Sequence, residues 1–442
     1  MNLRSMSLGI ESFREPMPTI SIEEEAILIE GAAQDLAEAQ STQAEVGRVE
    51  DIVDGLEDLA AVADRIEEAA PADVAMVDTA QRLALAGSDI ESEEVTPSLE
   101  GFVGRRISTE GIKELAAKLW DNLKRFLKKI WDKVESFFYK IFGQIPNLRK
   151  SLEDLKKRAD GTSGKSIKEA KTELGSEANG VSVNYVAPKK AADLKEGFNV
   201  LKPIADYVFD KYHTEVADYG NALADAIEAY EIGKGNAGLT GICDKVAVDL
   251  RPCLKALSLN KFNDKRFATN DVKKSPDLFG NKAVFLLGGV KREKYSTDSK
   301  EVLSRAEAIR GTRLDVMMSQ AKDKDGIDKA TVDTFTAADI DELVNQCQSL
   351  LDIVEEFKRG KGKAAALKAR ERLTKASDKL SADGKKADDM TAAEIAYYRS
   401  AVNFNSWFTG VANQPSGSLA ALILTAIRST IVICNKSLSN YA

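Results

Sequence analysis

The stretch Ala159-Asp-Gly-Thr-Ser-Gly-Lys165-Ser166 has the spacing of a permissive phosphate-binding loop: a small residue, four positions, then Gly-Lys-Ser. In that chemistry backbone N–H groups cradle phosphates, Lys165 reaches the β- and γ-phosphates, and Ser166 holds Mg²⁺. It requires a buried apolar strand leading into the loop. Here the lead-in, from Leu152 to Arg158, is a charged helical pattern, so the match reads as a flexible polar linker. Asp323-Lys-Asp-Gly326-Ile-Asp328 hints at a calcium loop. With Gly326 in sixth place, the first and twelfth ligand positions fall on Ala321 and Val332 instead of carboxylates, so a helix-ending turn is expected.

Other reactive types are sparse. His213 is the single histidine, which excludes His-based metal clusters and triads that need several; it reads as a surface or half-buried side chain. Cys243, Cys253, Cys347 and Cys434 show no CxxC spacing, which disfavours zinc and a disulfide framework. Gly288-Gly289 after Leu286-Leu287 reads as a strand-end turn. No catalytic residue, metal ligand or cofactor site is therefore expected.

The elements that would carry these residues are mostly helical. An acidic hairpin of two helices is expected over 46–87, with seams Val49, Ile52, Leu56, Leu59, Ala63, Ile66 and Val74, Val77, Ala80, Leu83. The strongest pattern runs from 108 to 142: Ile112, Leu115, Leu119, Leu123, Phe126, Ile130, Val134, Phe137 and Ile141 recur every three or four positions. Trp120, Leu127, Trp131, Phe138 and Phe142 widen this stripe, and the helix is expected to stop near Gly143 and Pro146. Residues 147–189 read as a linker with one short strand at Val181 to Tyr185. Beyond it come helices at 190–232, 301–321, 337–359, 362–381, 392–409 and 417–437, with a strand at Ala283 to Leu287. Thr391 and Glu394 form a capping box. Leu419 to Cys434 is the most apolar window, but Thr425, Arg428, Ser429 and Thr430 cut it. A membrane span needs about 20 mostly apolar residues, so this reads as a buried helix. The first residues hold no apolar stretch of signal-peptide length. The fold class is mainly α: an acidic helical N-terminal part at 1–100, a basic amphipathic helix at 101–146, and a helical domain at 190–442 with at most a small β element.

Charge divides the 442-residue chain sharply. Residues 1–100 carry 24 Asp and Glu against 5 Arg and no Lys, net −19; the other 342 residues carry 46 acidic and 57 basic side chains, net +11. The basic part includes Lys124, Arg125, Lys128, Lys129 and Lys133 around the aromatic stripe. Such a helix can pack in a core, lie on a membrane surface or contact nucleic acid. Packing is the leading reading, a membrane is not expected as a partner, and the five named cations are the candidates for anion or nucleic-acid contact.

The break lies beside Pro97-Ser98-Leu99-Glu100-Gly101-Phe102. An acidic N-terminal part, this junction, the following Gly-Phe-Val-Gly-Arg-Arg-Ile and the Trp/Phe/Lys helix resemble the internal head proteins of phiKZ-type giant tailed bacteriophages. The resemblance covers residues 1–150. It implies an acidic propeptide removed by the phage's prohead protease, which cuts after a small residue, any residue, then Glu. Ser98-Leu99-Glu100 matches, with Gly101 as the new N-terminus. Among other places, Gly9-Ile10-Glu11, Ser21-Ile22-Glu23, Gly55-Leu56-Glu57, Ser108-Thr109-Glu110, Gly175-Ser176-Glu177 and Ala226-Ile227-Glu228 also match, and Leu28-Ile29-Glu30-Gly31 resembles the T-even-type cut pattern. Only Glu100 coincides with the charge reversal. The resemblance further implies a structural protein of the capsid interior, present in the host cytoplasm during assembly. Its partners would be the protease, other head or core proteins and, non-specifically, genomic DNA. The competing expectations are a packaged P-loop-type or other DNA-associated enzyme and a membrane-interacting helical protein.

Overall fold

The computed structural model describes six positions of the N-terminal part (Ile27, Glu30, Gly31, Gln34, Ala37 and Ser41) and most of the chain from Phe102 on. It leaves out 104–105, 108, 163, 231–254, 268–271, 289–308, 310, 321–325, 385–391 and 442. The acidic hairpin at 46–87 and the capping box at Thr391 fall outside the described residues.

A two-residue ribbon, β1 (Phe102–Val103) against β2 (Arg106–Ile107), leads into α1 (Thr109–Asp160). The expected stop at Gly143 and Pro146 is overturned: α1 runs straight through both. A proline inside a helix costs about 3 kcal/mol. Pro146 points to solvent, while Ile145, Leu148, Leu152, Leu155 and Ala159 continue the buried face. Burying each of the larger of these contributes about 1.5–3 kcal/mol, which outweighs the proline. Earlier in α1, Leu127, Trp131, Val134, Phe137, Phe138, Ile141 and Phe142 are buried. The side chains of Ile112, Leu115, Leu119, Leu123, Phe126 and Ile130 lie outside the described residues. Ile141 is fully enclosed, so Ile141→Asp should destabilise the fold by about 4 kcal/mol or more, through a buried unpaired charge. Chemical denaturation of the purified variant reads this directly.

The segment expected as a linker carries structure. After α1, β3 (Lys171–Leu174) pairs antiparallel with β8 (Ala330–Asp333), and α2 (Glu177–Val181) follows. The strand expected at Val181 to Tyr185 is instead the end of α2 and a tight turn, with Asn184 and Tyr185 at positive φ and a bridge between Val183 and Val186. Lys168 N–H donates to Asn440 O, and Ile167 bridges Tyr441, so this segment ties down the last residues of the body.

Helix α3 (Ala191–Asp206) passes through a π-turn (Tyr207–Tyr212) into α4 (His213–Glu228). The wider turn lets Tyr207, Val208, Phe209 and Tyr212 all face the core. Next comes an antiparallel sheet in the order β4 (Asn260–Phe262), β5 (Val272–Lys274), β6 (Lys282–Leu287), β7 (Arg313–Met318). Its alternation sends Val284, Leu286, Leu314 and Val316 into the main core, and Val272, Ala283, Phe285 and Leu287 into a smaller cluster on the other face. β7 corrects the helix expected over 301–321. In Leu314-Asp315-Val316-Met317 the period is two, and β6 supplies the partner strand. Gly288 ends β6 at φ +68, and a Cβ there would lie 2.8 Å from Gly311 O, so the turn requires glycine.

Three helices complete the body: α5 (Ala337–Arg359), α6 (Lys361–Gly384) and α7 (Ala392–Leu438). α5 has the expected bounds and starts with a capping box in which Thr336 and Asp339 exchange hydrogen bonds. The two helices expected at 392–409 and 417–437 are one, continuous through Pro415. Proline has no N–H, so the carbonyl of Val411, four residues back, loses its helical donor. Tyr212 Oη–H donates to that carbonyl at 2.9 Å. Leu419 to Leu424 are almost completely enclosed. By length and composition Trp407–Leu438 could cross a membrane, but 89% of its apolar window is buried inside the protein. It is the central core helix. The described residues are 69% helix and 13% strand, a mainly α protein with small β elements.

Candidate functional site

The cation-bearing face of α1 is positioned by what its other faces hold. Trp131, Phe137, Phe138 and Ile141 are pinned in the core. Arg149 donates to Asp352 and Glu355 on α5 at 2.7 and 2.9 Å, and Lys156 pairs with Asp341 at 2.6 Å. On α6, Arg370 lies over the Trp131 ring at 4.7 Å. With α1 held along these sides, Arg125, Lys128, Lys129, Lys133 and Lys140 point outward, and Tyr139 is 61% exposed among them. From 125 to 140 the row is about 22 Å long at 1.5 Å per residue.

Of the five cations singled out from sequence, Lys124 does not join the row. Its Nζ pairs with Asp378 on α6 at 2.7 Å, which makes it a clamp between two helices. Arg125, Lys129 and Lys133 are exposed, and each also makes contacts within the chain. Lys128 is exposed. Ser98, Leu99, Glu100 and Gly101, the candidate cleavage residues, lie outside the described residues, immediately before β1. Sequence reading passed over Tyr139. Its signal was its place off the three-four apolar register, which put an aromatic ring on the polar side.

The phosphate-loop match fails on its setting. Ala159 and Asp160 end α1, and Thr162 Oγ1–H caps the helix by donating to Ala159 O at 2.7 Å. A helix, not a strand, leads into Lys165, so the loop N–H groups have no strand end from which to form a phosphate cradle. Gly326 and Asp328 of the calcium-like sequence sit in extended chain, where Ile327 N–H donates to Asn179 Oδ1 at 2.7 Å. Residues 321–325 lie outside the described residues, and the nearest described element upstream is the strand β7.

His213 is a correction: it is 2% exposed, packed against Tyr212 and Phe357. Its Nδ1 is 3.0 Å from Val208 O, and the ring also lies against the Ala412 carbonyl on α7; a neutral ring has one N–H and donates to only one of the two. Burial pushes its pKa down to about 4, with the Lys363 charge acting in the same direction and the two carbonyls opposing. The ring is therefore neutral in the fold. Unfolded chains take up a proton as pH drops below about 6.5, so stability is full above that pH and falls until about pH 4. A shift of this size is worth about 3 kcal/mol. His213→Gln should flatten the stability profile between pH 7 and 4 by about that amount in urea titrations. Cys347 and Cys434 are buried thiols, and burial raises both pKa values, which suits core packing and not nucleophilic work.

Among the described residues no group of three or more His, Cys, Asp or Glu is placed to hold a metal ion. The arrangement defines a helical structural body with an outward cationic ridge. Over residues 22–435, nearly its whole length, the chain matches the phiKZ-like phage internal head proteins, and it belongs to that family. It is an internal head protein, a structural component of the capsid interior. No curated protein and no solved structure matches the chain.

Proposed function

We propose that the chain enters the assembling head as a precursor and acts there by charge. The acidic residues 1–100 pair with basic bodies while the interior is packed with protein. The prohead protease then cuts after Glu100, and the basic body 101–442 stays beside the packaged DNA. The observation that supports this most is the outward row of cations on α1 in a chain whose first hundred residues carry net −19. Phosphate contact from such a row is independent of base sequence. Other head proteins and the protease are its partners, and the host cytoplasm is where the precursor is made. Mass spectrometry of purified virions tests location and processing together. The expected result is a head-associated protein whose N-terminal peptide begins at Gly101.

A further inference from the structure

Arg428 is the only charged side chain between Leu419 and Cys434 on the core helix α7. It is 5% exposed, and a guanidinium in such a place needs partners on every side. One is Gln144 on α1, whose Oε1 accepts from Nη2. Another is the N-terminal part of the chain. A Cβ built on Gly31 would lie 3.6 Å from Cζ of Arg428 and 3.7 and 3.8 Å from its two terminal nitrogens. Three nearly equal distances place a Cβ at position 31 over the guanidinium, with room for a methyl group at ordinary van der Waals range. Ile27, Glu30, Gly31, Gln34, Ala37 and Ser41 are all helical.

We propose that Arg428, backed by Gln144, is the docking point by which the body holds the acidic N-terminal part of its own chain at Gly31. Charge complements geometry, since residues 22–45 contain seven acidic and no basic side chains. Glycine at 31 lets the helix backbone settle on the guanidinium face; a large side chain there would lift it off. Tethering in the same chain keeps the segment at high effective concentration. The proposal rests on the precursor reading for its consequence: cutting at Glu100 removes the tether, the segment leaves, and the mature body uncovers Arg428. It also explains the choice between cleavage sequences. The Glu30–Gly31 bond is helical and backed by α7, whereas a protease needs extended, accessible chain.

The test is hydrogen exchange of the uncut, full-length protein, which requires no protease and so stands apart from whether processing occurs. Peptides spanning 22–45 should be protected in the natural chain. Arg428→Met and Gly31→Phe should each speed their exchange tenfold or more, while Gly31→Ala, whose methyl meets only ordinary contact, should keep the protection. Peptides from α7 report whether Arg428→Met disturbs the core; if it does, Gly31→Phe, which leaves α7 untouched, decides. Fast exchange of 22–45 in the natural chain, or protection unchanged in Gly31→Phe, would overturn the docking point.

Discussion

Glu100→Gln should leave heads filled with uncut protein. The substitution keeps the shape of the side chain and removes the charge that the Ser98-Leu99-Glu100 pattern presents. Losing a charge-assisted hydrogen bond costs about 1.5–3 kcal/mol, which slows cleavage by about 10–100-fold if the protease reads the carboxylate. Over the lifetime of a prohead that separates processed from unprocessed heads. The measurement is quantitative peptide mapping of virions from natural and variant phage. In natural heads, peptides from 1–100 should be depleted against those from 101–442; in the variant the two sets should be equal. Equal abundance in natural mature heads would remove the propeptide reading altogether. It would leave an acidic and a basic part joined by an ordinary connection.

What could be read from the chain, and what could not, follows from the range of the interactions. α5 was legible to the residue because its apolar period, its capping threonine and the following Gly360 all act locally. The buried character of Leu419 to Cys434 was legible because that many apolar groups must leave water whatever surrounds them. The prolines misled. Pro146 and Pro415 are local stop signals, and tertiary partners override them: a continuing buried stripe in one case, and the Tyr212 hydroxyl on the freed Val411 carbonyl in the other. Strands β3 and β8 were invisible because Lys171-Thr-Glu-Leu174 and Ala330-Thr-Val-Asp333 are short and polar, and each makes sense only against the other across the chain. At the site, the row of cations was legible by composition. The diversion of Lys124 to Asp378 was not, because nothing near either residue announces the other. The approach of position 31 to Arg428 was equally silent in the sequence, where Arg428 showed only as an interruption of an apolar run.

Removal of residues 1–100 should switch on DNA binding. The full-length chain carries a polyanion of net −19 on the same molecule as the exposed row of Arg125, Lys128, Lys129 and Lys133. A competitor on a tether acts at an effective concentration that free duplex matches only poorly. The fragment 101–442 lacks it. The exposed row on α1 spans about 22 Å, enough for about three to five phosphates, so log K should fall with log salt at a slope of about −3 to −4.5. That slope corresponds to weak binding at physiological salt, in keeping with the proposed place beside packaged DNA. Replacing Arg125, Lys128, Lys129 and Lys133 with Gln should cut the slope to about −1 or less by the same rule. Lys124→Gln alone should leave the slope unchanged, because Asp378 already holds that ammonium. The measurement is a salt series with random-sequence duplex, comparing residues 1–442, residues 101–442 and the two variants. If the full-length chain and the fragment bind equally, the acidic part serves assembly alone. Binding that ignores salt would mean that the cations of α1 are not what meets the DNA.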